Sequence, residues 1–129
     1  MEIENKNKVV YYKTLPFYFI DNTIVMTNIE NKIKTIIVEG YLDYLNPIQK
    51  FLGLKPTIQF DTYEIRNIFL EIDYYVDKYK KDFMQCKSEN GIKNVIINIY
   101  NFGFYTAVNH FKSIINKKSK GPELEICSS

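Results

Sequence analysis

Hydrophobic and polar positions change their period along this chain. In the first third the apolar residues are β-branched or aromatic and come in short runs. Lys8–Lys13 (KVVYYK) reads as a strand, broken at Leu15-Pro16 and resumed at Phe17–Ile20 (FYFI). Asp21-Asn22 is a turn signal, and Thr23–Ile29 (TIVMTNI) and Ile33–Glu39 (IKTIIVE) follow as two further strands, the last stopped by Gly40. Strands joined by two or three residues pair antiparallel, because parallel pairing needs a long crossover. The pattern predicts a meander of about four strands. Ile36-Ile37-Val38 is a continuous apolar run and places the fourth strand centrally.

From Tyr41 the period lengthens. Residues 41–54 read as helical, with Asn46-Pro47 as the restart of a short second helix, since Pro suits the first helical position. The best-defined helix runs from Thr62 to about Gln85, capped by Asp61 or Thr62, with Glu64 in its first turn. Ile65, Ile68, Phe69, Ile72, Tyr75, Val76, Tyr79 and Phe83 form one wide stripe at helical spacing. Asn90-Gly91 reads as its terminator. Residues 91–102 fit both periods and lean to helix; Phe104–Lys118 is helical, and Gly121-Pro122 ends it. Glu123–Cys127 alternates and fits a final edge strand. The fold expected is α+β, an N-terminal antiparallel meander covered by C-terminal helices. All 129 residues fit one domain, with 1–7 and 128–129 flexible.

Composition narrows the function classes. Hydrophobic residues make up 46% and charged residues 25%, a globular balance that excludes disordered or supercharged chains. Lys outnumbers Arg 16 to 1, and Ile, Asn and Tyr are abundant, as an AT-rich genome produces. The net charge is +2. A nucleic-acid surface would draw on Lys93, Lys112, Lys117, Lys118 and Lys120 with Tyr100 or Tyr105 between them. With Arg66 the only arginine, the bidentate reader of phosphate and guanine is nearly missing, which argues against that partner. No apolar run approaches the ~20 residues of a membrane span, and the N-terminus lacks a signal-peptide core. A cytoplasmic protein is expected.

Few residues carry recognisable chemistry. His110 is the only histidine, Cys86 and Cys127 are the only cysteines, and neither CxxC nor a Cys/His cluster occurs. The five glycines build no phosphate loop and read as stop signals. Asp73 and Asp77 share a helix face at i,i+4, but nearby lysines make that a solvated charged face. Neither a metal, a cofactor nor a catalytic set is expected. One feature stands apart. On the wheel of residues 62–85 the side opposite the core carries Leu70, Tyr74 and Met84, with Arg66, Asp77 and Asp73 around them. An apolar-aromatic centre inside a charged rim is the anatomy of a protein interface. The reading that follows is a non-catalytic, stoichiometric inhibitor: an immunity protein, an antitoxin or a phage anti-defence protein that occludes a toxin or defence effector. Arg66, Leu70, Asp73, Tyr74 and Asp77 are its partner-binding residues. The alternative is a small-molecule or nucleotide binder with an aromatic pocket, and after it a small enzyme.

Overall fold

The computed structural model describes residues 7–53 and 66–119, with side chains to Lys112. The fold is α+β: a three-stranded antiparallel sheet followed by helices. The strands are β1 (Asn7–Tyr12), β2 (Leu15–Ile20) and β3 (Thr23–Ile24), in the order β1-β2-β3. The helices are α1 (Ile29–Phe51), α2 (Ile72–Met84) and α3 (Glu89–Ser119).

Local chemistry accounts for the meander. Lys13 (φ 55°) turns the β1–β2 hairpin, and Asp21 and Asn22 (φ 53° and 62°) turn the β2–β3 hairpin. Two positive φ values at a two-residue loop give the turn whose twist matches the strands, and Asn and Asp tolerate it best among non-glycine residues. The register pairs Tyr12 with Leu15, Val10 with Phe17 and Val9 with Tyr18. Leu15-Pro16 therefore belongs to β2 and breaks nothing. Pro16 pairs with Tyr11, a position whose N–H a hairpin closing at Tyr12–Leu15 does not use in the β1–β2 ladder. One face of the sheet, formed by Val10, Phe17, Phe19 and Ile24, is buried under the helices.

Two expected strands are corrected. Thr23–Ile29 contributes only a two-residue strand, and Ile33–Glu39 lies inside α1. Ile29, Ile33, Ile36, Ile37, Gly40 and Tyr41 are the buried stripe of α1, spaced four, three, one, three and one residues apart. That is a helical period, and burial of the stripe overrides the β-preference of its isoleucines. Asn46-Pro47 starts no second helix. Pro47 sits inside α1, which ends at Phe51 with Leu52 as its C-cap and Gly53 following at φ 78°. The helix expected over 62–85 is interrupted. Residues 66–68 make one helical turn, Glu71 takes a left-handed conformation (φ 63°), and α2 begins at Ile72. Gly91 lies in the first turn of α3, whose N-terminus Ser88 caps through an Oγ that accepts the Gly91 N–H at 3.1 Å. Residues 91–119 are one helix, and Gly103 does not break it. The expected cap at Asp61 or Thr62, the final edge strand at 123–127 and the flexible ends at 1–6 and 128–129 lie outside the described residues. Asn7, the last residue of the expected flexible N-terminus, is the first of β1.

The molecule is built around the crossing of α1 and α3. Gly40 and Gly103 are the contact points. A Cβ on Gly103 would meet the Ile37 backbone, with its carbonyl oxygen nearest and its carbon at 2.8 Å; a Cβ on Gly40 would collide with the Tyr100 carbonyl and meet the Phe104 nitrogen at 3.0 Å. The two helices touch backbone to backbone, and only glycine fits at both points. Neither position is a stop signal. Around the crossing lies an aromatic layer: Phe17 stacks on Phe83 at 5.3 Å, Tyr41 meets Phe69 edge-on at 5.3 Å, and Tyr75 stacks on Phe102 at 4.3 Å. None of the buried residues described is polar or charged. The polar ties run over the outside. Lys13 binds Glu39, Lys80 binds Glu30 at 2.8 Å, and Lys8 lies 3.7 Å from Glu89.

Candidate partner-binding face

The face begins where the chain enters α2. Phe69 and Ile72 are 2% and 3% exposed and anchor the segment on either side. Between them the left-handed Glu71 reverses the local path, and Tyr74 and Tyr75 donate their N–H groups to its carbonyl at 3.0 and 3.2 Å. With Phe69 and Ile72 pulled inward, Leu70 projects outward and is 78% exposed; Tyr74, in the first turn of α2, is 63% exposed. Tyr74 rests edge-on against Tyr75 at 5.1 Å, and Tyr75 is stacked on Phe102 of α3. The exposed ring is thereby fixed from below.

The structure brings the charged residues to the same region. Arg66 reaches across the Glu71 bend to Asp73, Nη1 to Oδ2 3.0 Å. Asp77 pairs with Lys81 at 3.3 Å, one turn along α2. Both pairs are well exposed, so each adds little to stability. They leave a rim of alternating sign. Leu70 and Tyr74 do not lie on one continuous helical stripe, because Glu71 resets the phase between them. Their shared exposure comes from the bend and from the anchors beside it.

Beside Leu70 opens a groove of about 410 Å³ lined by Phe69, Tyr75, Phe102, Thr106, Asn109 and His110, among others. His110 Nδ1 lies 3.1 Å from the Tyr41 hydroxyl, with the rings edge to face at 5.7 Å. Burial pushes the Tyr41 hydroxyl above its ordinary value, so it stays protonated at neutral pH. His110 is thus tied to a core tyrosine, and no second titratable partner of a nucleophilic set adjoins it among the described contacts.

A second polar cluster escapes local sequence reasoning. Tyr100 donates its hydroxyl to Asp43, and Lys13 binds Glu39 beside it. Tyr12 packs 6.5 Å from the Tyr100 ring, and its buried hydroxyl has no hydrogen-bond partner. Burial, with Glu39 and Asp43 nearby, pushes the Tyr12 hydroxyl up to about 12; burial and the hydrogen bond to Asp43 raise Tyr100 as well. Both phenols stay neutral at physiological pH, which makes them donors rather than bases. The contacts that join the cluster link residues 26 to 88 positions apart in sequence. The one local signal was Glu39 and Asp43 at i,i+4, hidden by reading 33–39 as a strand. Burial also raises the Cys86 thiol, which donates to the Asp82 carbonyl at 3.5 Å and is a poor nucleophile there.

Among the described residues no group of three or more His, Cys, Asp or Glu side chains could hold a metal ion, and no helix is long and apolar enough to cross a membrane. No protein-family model, curated protein or solved structure matches this chain.

Proposed function

We propose that this chain is a non-catalytic protein-binding module that acts in the cytoplasm as a stoichiometric inhibitor, of the kind represented by immunity proteins, antitoxins and phage anti-defence proteins. It occludes a surface of a toxin or defence effector with the face formed by Arg66, Leu70, Asp73, Tyr74 and Asp77. One observation carries the reading: Leu70 and Tyr74 are large apolar side chains, 78% and 63% exposed, held on a rigid support and ringed by ion pairs. At this exposure Leu70 contributes little to its own core. Its removal from water is available to a partner.

The rim carries both signs, so the complementary surface is a mixed-charge rim around an apolar depression rather than a strongly basic cleft. The test is titration of the chain against the product of the adjacent gene, followed by calorimetry. The expected result is a 1:1 complex that Leu70→Asp and Tyr74→Asp each weaken 100-fold or more, while the melting temperature of the free variants stays within about 2 °C of wild type, as exposed substitutions allow. Absence of a complex with the wild-type chain, or early melting of both variants, would overturn the proposal.

A further inference from the structure

The groove beside Leu70 carries a charge that the fold does not use. Every carboxylate on the described residues except Asp21 and Glu71 is bound to a lysine, an arginine or a tyrosine hydroxyl. Asp21 is accounted for by its hairpin turn, where Asp tolerates a positive φ. Glu71 has no such account. Its φ is 63°, a conformation that glycine or asparagine takes at lower cost, and the residue is exposed. Arg66 spans the bend and binds Asp73 instead. The Glu71 carboxylate therefore serves neither the backbone nor an ion pair among the described residues, and Glu71 lines the groove.

We infer that the groove receives an arginine side chain of the partner, its guanidinium laid on the aromatic wall and bound by the Glu71 carboxylate. The inference rests on the partner-binding face proposed above and names the group that the partner inserts beside it. The wall is continuous: Phe69 lies 5.8 Å from Phe102, and Phe102 is stacked on Tyr75 at 4.3 Å. Elsewhere the chain covers such rings with its own cations, Lys78 over Tyr79 at 4.7 Å and Lys32 over Phe17 at 5.3 Å. Among the described residues no lysine or arginine lies over Phe69, Tyr75 or Phe102, and none lines the groove. Negative ring faces beside an unpaired carboxylate attract a cation and repel an anion, and a neutral side chain would leave the carboxylate unanswered. Among cations, shape favours the guanidinium, which is planar, stacks on rings and binds a carboxylate through two parallel N–H groups. Across the groove α3 contributes Thr106 and Asn109, whose side-chain oxygens can accept further guanidinium N–H groups. The Thr106 hydroxyl already donates its proton to the Phe102 carbonyl at 2.7 Å, so toward a ligand it can only accept. His110 is engaged at Nδ1 by the Tyr41 hydroxyl.

The test is a nitrogen–proton correlation NMR titration of the full chain with Nα-acetyl-arginine amide and with its citrulline counterpart, which keeps the length and shape without the charge. The arginine probe is expected to shift the amides of residues 69–75 and 102–110 and to saturate with a dissociation constant on the order of millimolar, as a single side chain allows. The citrulline probe should bind about tenfold more weakly or worse. Glu71→Gln, which keeps the size of the side chain, should weaken the arginine probe by a similar factor. Glu71→Gly should do the same while melting no lower than wild type, since glycine relieves the left-handed residue. Asp21→Asn removes the other unpaired carboxylate and should leave binding within about twofold. Absence of saturable shifts at the groove, equal binding of the two probes, or undiminished binding by Glu71→Gln would overturn the inference. The titration needs no partner, so the two proposals fail separately. A complex with the adjacent gene product that depends on Leu70 but forms as tightly with Glu71→Gln would overturn the arginine and leave the face. Arginine binding at the groove of a chain that forms no such complex would support the groove and overturn the inhibitor reading.

Discussion

Gly103→Ala adds one methyl group where α3 crosses α1, and the structure fixes the sign of its effect. In an open helix the substitution stabilises by about 1 kcal/mol through backbone propensity. At this crossing the new carbon would stand 2.8 Å from the Ile37 carbonyl carbon and 3.1 Å from its Cα, with the oxygen closer still. The obstacle is backbone and cannot rotate aside. Relief requires α1 and α3 to part by about 1 Å, and a gap of that size forfeits a quarter to a half of the dispersion energy along the seam. Overpacking of this kind costs about 3 kcal/mol, the upper end of the usual range, because both sides are main chain. The net loss is about 2 kcal/mol, or about 8 °C in melting temperature for a chain of this length. Gly91→Ala in the same helix is the control. Its Cβ would meet Ser88 Oγ at 3.5 Å and Cys86 at 3.6 Å, ordinary contacts, so the variant should match or exceed wild type by up to about 1 kcal/mol. Thermal and urea melts followed at 222 nm compare the three proteins. If Gly103→Ala stabilises as Gly91→Ala does, the helices do not touch where the structure places them.

Two further predictions concern the caps and the phenols. Ser88→Ala removes the acceptor for the Gly91 N–H and should cost about 1 kcal/mol, read as a lower urea midpoint with an unchanged slope; no change would mean the cap is not formed. Tyr12 and Tyr100 hold their protons more tightly folded than unfolded, so above pH 10 the unfolded chain binds fewer protons and stability falls as pH rises. The urea midpoint should be flat to about pH 9.5 and decline through pH 10 to 12, with native tyrosine absorbance at 295 nm rising later than that of the unfolded chain; coincident titrations would refute the burial of these rings.

The pattern of the sequence carried the class of the fold but not all of its elements. The α+β order, the first two strands and the Asp21-Asn22 turn follow from short-range chemistry: β-branched runs and turn residues. Ile33–Glu39 misled because isoleucine content points to a strand while the spacing from Ile29 through Tyr41 is helical; which signal prevails depends on α3, 60 residues away. The glycines misled for the same reason. Gly40 and Gly103 look like punctuation until the second helix stands against each. At the candidate face, the exposure of Leu70 and Tyr74 was legible as apolar residues off the buried stripe. The Glu71 bend was not, since nothing in Leu70-Glu71-Ile72 demands a left-handed residue; the burial of Phe69 and Ile72 imposes it.

The paired glycines have one more consequence. A core of purely apolar side chains is permissive about alignment, because one isoleucine substitutes well for another a turn away. Proteins often settle that ambiguity with an interior polar group. This one ties α1 to α3 with the Tyr41–His110 hydrogen bond and adds shape: sliding α1 by a turn would drive Ile37 into a side chain where there is now a notch. The helix pair is keyed to a single axial position and cannot ratchet. The faces built on this pair are therefore presented with the axial register of the two helices already set.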